Sequence, residues 1–417
     1  MPPGIDRISE LPESLVSQIL AHLPTKDSVK TSALSTRWKS HWLKAPAIDL
    51  TYSDLKSEVV FISFIDRFLE SNSESRLRKF KHLDVESSDY YIEPEDGSYP
   101  IIEIMPLNLY TSKTLVSLKL SLSGLQDCGF VSLPCLRFMD LVDVHWVDPM
   151  NLEKLLSGCP VLEELTLLRD LYFEPLVTRV RSRSLKKLGD CCFRSGKEFD
   201  APEYRMEIDA PGLEFLSLTE NHFDRIVVKN LTCLFTIDLD VESCLSFSPE
   251  DLSKRNEVRD FLAGVSSARH MIISEKTVKA LDVYSKVGLI PKFNNLSCLQ
   301  AVFPSSSLQF LPSFLESFPN LKHLILKVVY SKESCAFELL NVPRCFLSIL
   351  ECVEIKGFFD WDEEEMKITS YFLENSKVLK KLILSFAGCP LHYSESEVYE
   401  EIRKLTKGCE VIIDSEF

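Results

Sequence analysis

Histidine and cysteine are the side chains from which metal centres and nucleophilic sites are most often built, and this chain carries eight of the first and thirteen of the second in 417 residues. Their spacing supplies neither kind of site. No two histidines stand four apart as helical metal ligands would, and no Cys-x-x-Cys is matched by a second pair at zinc spacing. Cys135, Cys233, Cys298 and Cys352 lie in apolar segments, where a thiol behaves as a small hydrophobe, and Cys191-Cys192 is the one local oddity. Glycine-rich phosphate loops, His-Glu-x-x-His and the Gly-x-Ser-x-Gly elbow are all missing from the sequence. The expectation is a non-catalytic protein with no metal and no cofactor.

The residues that do stand out do their chemistry by burial. Leu11 and Pro12 precede a stretch in which Leu15, Val16, Ile19, Leu20 and Leu23 recur at helical spacing, with Ser9 as an N-cap and Pro24 as a stop. Asp27-Ser28-Val29 starts a second helix, and Val29, Ser32, Ala33 and the span from Trp38 to Trp42 offer another apolar set. Three short helices in about 45 residues bury too little to stand comfortably alone, so the following domain or a partner must supply part of their stability.

Leu11-Pro12, then Ile19-Leu20-Ala21-His22-Leu23-Pro24, then Leu34-Ser35-Thr36-Arg37-Trp38-Lys39 together resemble the F-box motif. That resemblance implies that Leu11, Pro12, Leu15, Ile19, Leu20 and Leu23 face a Skp-type adaptor and, through it, a cullin-RING ubiquitin ligase. Trp38 and Trp42 are expected to pack within the module.

From about residue 75 a Leu-x-x-Leu-x-Leu phrase keeps returning, most clearly from Leu115, Leu162, Leu213, Leu321 and Leu379. Weaker members begin at Leu136, Leu185, Leu234, Leu296 and Leu350. The starts at 115, 136, 162, 185, 213 and 234 lie 21 to 28 residues apart, a solenoidal interval. Each phrase reads as a strand whose alternate residues enter the stack, anchored by its first leucine and followed by a helical or irregular return. Ala268, Met271 and Ile273 mark a degenerate strand in the long gap between 234 and 296. Returns are expected to be helical over 150–157, 310–318 and 371–376, with a further short helix near 258–263.

Ser157-Gly158-Cys159-Pro160-Val161-Leu162, Phe318-Pro319-Asn320-Leu321 and Asn375-Ser376-Lys377-Val378-Leu379 resemble the irregular leucine-rich repeats of plant F-box proteins with an FBD-type C-terminal region. The expected fold is α/β: a three-helix F-box over 5–50, then a leucine-rich-repeat solenoid over 75–345 with a parallel sheet on its concave side. Residues 346–417 are expected to hold C-terminal repeats or an FBD-like region continuing that solenoid.

Three segments are candidates for gripping a client protein. Trp361, Asp362 and Glu363 sit in a run of acids that could receive a basic client or simply cap the helix that follows. Residues 86–108 mix acids with tyrosines and read as a surface loop. Arg179, Arg181, Arg183, Lys186 and Lys187 read as an exposed basic connector between repeat strands, without the aromatic platform a nucleic-acid site would add.

Charge agrees with a protein partner. The formal charge is −15, while residues 1–45 hold six Lys/Arg against four acids, so the remainder bears −17 and is a poor nucleic-acid surface. No apolar run long enough to span a membrane occurs, and the start of the chain lacks the pattern of a secretory signal. An intracellular place, nuclear or cytoplasmic, is expected. The function these readings favour is recruitment of an unidentified protein client to an SCF-type ubiquitin ligase; the alternative is a leucine-rich interaction scaffold that does not promote ubiquitylation.

Overall fold

The computed structural model describes residues 10–44, 47–51, 60, 63, 82–86, 107–121, 124–125, 129–146, 151–170, 176–193, 203–246, 250–330, 337–358, 361, 363–387, 402 and 408–416. They divide into two compact units, Met1–Ala210 and Pro211–Phe417.

The first unit opens with helices Glu13–Ala21 and Thr25–Lys30, followed by 3-10 turns at Thr31–Ala33 and Trp38–Lys44. Prolines set both helix starts: Pro12 and Pro24 hold φ near −55° just ahead of the first turn, where a missing N–H costs nothing. The first helix ends at Ala21, two residues short of Leu23, and the second begins at Thr25, before the Asp27 expected from sequence. Pro24 explains both, because it cannot continue one helix and is well suited to lead into the next.

Behind this module a parallel sheet runs in the order Ala47–Thr51, His82–Glu86, Ser117–Ser121, Phe138–Val142, Glu164–Asp170, Lys187–Phe193. Its first strand straddles the end of the segment assigned to the helical module, 5–50, and lies ahead of residue 75. The registers stack the repeat leucines directly: Leu118 on Met139 on Leu165 on Leu188, and Leu120 on Leu141 on Leu167. All of these are buried, as are the anchors Leu115, Leu136, Leu162 and Leu185.

The second unit repeats the device over eight parallel strands: Phe215–Asn221, Thr236–Val241, His270–Ile273, Cys298–Pro304, His323–Val329, Cys352–Phe358, Lys381–Ala387 and Glu410–Glu416. Leu216, Ile237, Met271, Leu299, Leu324, Val353 and Leu382 form one continuous buried row. The degenerate strand is real, and its backbone register keeps the row unbroken across the long gap. The strands on either side of residue 345, His323–Val329 and Cys352–Phe358, pair directly with each other. Helices Leu252–Gly264, Glu275–Ser285, Leu311–Leu315, Arg344–Ser348 and Glu363–Asn375 fill the returns. Asp251 and Ser274 cap the first two by accepting from Lys254 N–H and Thr277 N–H. Beneath the strands an aromatic stack joins Phe293, Phe303, Phe314 and Phe318, with ring centroids 4.8 to 5.9 Å apart.

The two units also share a surface motif just ahead of the strands. In the first, Arg137 and Lys186 flank Glu163 at 2.5 and 3.5 Å across adjacent rungs; in the second, Lys380 meets Glu351 at 2.9 Å with Lys322 on the rung before. The hydrogen bond from Arg137 holds the Glu163 carboxyl below its usual range, and that from Lys380 does the same for Glu351. Each unit thus carries a cation–acid–cation ladder aligned with its sheet.

Candidate docking and client-binding sites

In the Glu13–Ala21 helix the apolar residues occupy two neighbouring faces. Val16 and Leu20 turn inward and pack with Trp38, and Leu11 lies partly buried against that cluster. Leu15 and Ile19, about 100° around the helix from them, remain 44% and 42% exposed; Leu23 follows at 37%, Leu34 at 56%, and Pro12 is exposed. One helix therefore serves two clients, its own small core and whatever covers the outer stripe. The Arg37 guanidinium donates to the Leu11 carbonyl at 2.6 Å, tying the Leu-Pro segment to the turn that carries Trp38. Ser28 Oγ donates to the Leu20 carbonyl at 3.3 Å and fixes the second helix against the end of the first.

Of the six residues expected to face an adaptor, Leu20 does not. It is sealed inside the chain at 1% exposure, because the i, i+4 partner of Val16 must fall on the Trp38 side. Leu11 is half-buried, whereas Pro12, Leu15, Ile19 and Leu23 are on the outside. Leu34 joins the exposed apolar residues of the module. Sequence alone marked it within the motif but not as a contact, and its signal was an unpartnered leucine beside Ser35-Thr36, off the apolar stripe of either helix.

The proposed client site at Trp361 is also corrected. Trp361 is 4% exposed and its ring centroid lies 6.0 Å from Phe358 and 6.4 Å from Phe386, so it belongs to the core of the second unit. Its backbone takes φ 53°, and its N–H donates to Glu365 Oε2 at 2.6 Å. Glu365 is 1% exposed. The acid reaches back past the start of the Glu363–Asn375 helix to the Trp361 N–H, which helps fold a tryptophan amid carboxylates inward. Glu363 is exposed, and Asp362 lies outside the described residues.

The basic run is only partly a connector: Arg179 and Arg181 lie on a strand, Lys187 opens the next one, and Arg183 and Lys186 lie between them. Val177–Arg181 pairs in parallel with Arg205–Asp209, and its arginines are met by carboxylates: Arg181 by Glu153 at 2.6 Å and Arg179 by Glu207 at 3.5 Å. Lys187 meets Glu164 at 2.8 Å. Much of this positive charge is therefore spent within the fold. The acidic tyrosine-rich loop falls largely outside the described residues. Cys191 and Cys192 point to opposite faces of one strand, as neighbours in a strand must, with Cys192 buried. Burial pushes the thiols of Cys159, Cys244 and Cys345 up to about 12, so they are poor nucleophiles. Among the described residues no group of His, Cys, Asp and Glu could hold a metal ion, and no helix is long and apolar enough to cross a membrane.

Comparison with known proteins matches three family profiles along the chain. Residues 8–46 match the profile described as the F-box domain, residues 92–304 that of the LRR repeats of the FBD-associated F-box protein At5g56370, and residues 338–384 that of FBD. Three relatives from Arabidopsis thaliana are similar over their whole length. The F-box/FBD/LRR-repeat protein At1g13780 is 61% identical over 99% of this chain and 98% of its own. The FBD-associated F-box protein At5g27750 is 57% identical over 99% of this chain and 100% of its own. The F-box/FBD/LRR-repeat protein At2g26030 is 44% identical over 98% and 99%.

Proposed function

The chain belongs to the family of F-box/FBD/LRR-repeat proteins, and from that premise we propose that it is the substrate-recruiting subunit of an SCF-type cullin-RING ubiquitin ligase. The observation that carries the reading is the outer stripe of Pro12, Leu15, Ile19, Leu23 and Leu34 on the F-box segment. These residues stay exposed although the module already has its own core in Val16, Leu20 and Trp38. A Skp-type adaptor is the partner that would cover them. Burying a leucine or isoleucine side chain fully is worth about 1.5–3 kcal/mol, so even the half-exposed area of four such residues supplies several kcal/mol to docking.

The repeats would hold the client while the adaptor ties the chain to the ligase, and transfer would follow from proximity, raising the effective concentration of client lysines near a ubiquitin-charged enzyme. This chain contributes position and no reacting group. Reconstitution with adaptor, cullin, RING subunit, conjugating enzyme and a protein captured by the repeats tests the reading. Ubiquitin conjugates on that protein are expected with the parent chain and absent with the double variant Leu15→Asp/Ile19→Asp; equal conjugation by both would refute the proposal.

A further inference from the structure

Among the returns of the second unit, a cleft of about 460 Å³ lies between the Leu252–Gly264 helix and the turn that ends the Glu275–Ser285 helix. Arg255 and Arg259 stand four residues apart, on one face of the first helix, while Val258, Phe261 and Leu262 bury its inner side. The facing wall is the buried Tyr284 and the turn from Lys286 to Leu289. Gly288 lets that turn close, since a Cβ there would stand 2.6 Å from the Tyr284 ring. The carbonyls at this helix end are occupied: that of Tyr284 accepts from the Val287 and Gly288 N–H groups at 3.0 and 2.8 Å, and that of Val287 accepts from Arg255 at 3.3 Å. Burial pushes the Tyr284 phenol up, whereas Arg259 and Arg255 pull it down and Asp260 adds a smaller push upward, so both arginines act on the facing wall.

Among the described residues the cleft is lined by three cations, Arg255, Arg259 and Lys286, and by no carboxylate. Two acids meet these cations from outside the lining. Asp260 accepts from Arg259 at 3.0 Å, but the two are exposed and adjacent on a helix, so their side chains do not face each other. Asp282 lies 3.6 Å from Lys286 and also accepts from Ser307 at 3.2 Å. Glu257, on the same helix as the arginines, is taken by Arg225 at 2.9 Å. With Asp260 and Asp282 both counted, three cations still stand against two acids. Exposed pairs of this kind hold weakly, so Arg259 and Lys286 are able to exchange them for a doubly charged anion that all three cations reach. The mouth of the cleft carries a second feature: Leu289 is 89% exposed, more than any other large apolar side chain among the described residues.

We infer that this cleft binds a small organic phosphate, with its phosphoryl group held by Arg255, Arg259 and Lys286 and its carbon part laid over Val287 and Leu289. The volume falls within the range of about 300–1,000 Å³ usual for small-molecule sites. Two guanidinium forks and an ammonium match the three oxygens and double charge of a phosphoryl group, whereas a carboxylate offers two oxygens and a single charge. The apolar contact with Leu289 distinguishes an organic phosphate from the inorganic ion. The site lies on the helical returns and is independent of the ligase reading.

Isothermal titration of the full chain at constant ionic strength tests this with phenyl phosphate, inorganic phosphate and benzoate as probes. Phenyl phosphate is expected to bind at least about fivefold more tightly than either of the others. Arg259→Gln/Lys286→Gln should weaken both phosphates at least about tenfold. Leu289→Ser should bring phenyl phosphate down to the affinity of inorganic phosphate and leave the latter unchanged. All three side chains are exposed, so the variants are expected to keep the parent's denaturation midpoint, which is read alongside. No binding of phenyl phosphate by the parent, benzoate bound as tightly, undiminished phosphate affinity in the folded double variant, or a preference for phenyl phosphate that survives Leu289→Ser each overturns the inference.

Discussion

Leu15 and Leu20 lie on one short helix and are expected to behave oppositely. Leu20→Ala opens a cavity beside Val16 and Trp38 and should cost about 2–5 kcal/mol, read as a drop in the denaturation midpoint. Leu15→Ala, at an exposed position, should leave the midpoint within about 0.5 kcal/mol of the parent. The sequence shows both leucines to be apolar and helically spaced; it cannot say which face meets Trp38, because that depends on how the later turn folds back. The same limit hid the fate of Trp361, whose acidic neighbours suggested solvent while one of them, Glu365, was the group that fixes its backbone. Replacing Glu365 by Ala leaves the Trp361 N–H without its buried acceptor, and a loss of about 1–3 kcal/mol is expected in urea unfolding. Acid dependence belongs to this scale too. Glu351 is held below its ordinary value in the folded chain, chiefly by the hydrogen bond from Lys380, so its contribution is fully present above the unfolded carboxylate range and disappears as pH falls through the folded value. The stability difference between the parent and Glu351→Gln should therefore be seen near neutrality and close at low pH; a difference that grows on acidification would contradict the assignment.

Among elements, the strands were the most legible. A Leu-x-x-Leu-x-Leu phrase fixes both the anchor and the inward face, and the register of buried rows follows the expected starts, including the weak one near Met271. Among the missed elements, Val177–Arg181, Arg205–Asp209 and Arg225–Lys229 are short, carry charged residues among their apolar ones and have no leucine phrase. In the Val177–Arg181 strand the outward arginines are neutralised by Glu153 and Glu207, the first from a preceding helix and the second from the paired strand. No local pattern announces such partners. The helix Glu275–Ser285 was also unannounced, although Ser274 is a good N-cap. Element geometry makes its own demand at Gly357, which sits at φ +92° where the Cys352–Phe358 strand shifts register against its neighbour. A Cβ there would stand 2.5 Å from the Val328 carbonyl oxygen. Gly357→Ala should destabilise the second unit by more than about 1 kcal/mol, detected as faster amide exchange in the flanking strands.

For the whole molecule, the apolar stripe on the N-terminal helices is separate from the buried rows that hold the repeats together, so it can be altered without touching them. The central claim is that the stripe docks to a Skp-type adaptor, and isothermal titration of the purified chain with that adaptor addresses it most directly. The parent chain is expected to bind, and Leu15→Asp/Ile19→Asp to bind at least about 100-fold more weakly, a loss of about 2.7 kcal/mol, while retaining the parent's denaturation midpoint. Equal affinity for the parent and the folded variant would contradict the account.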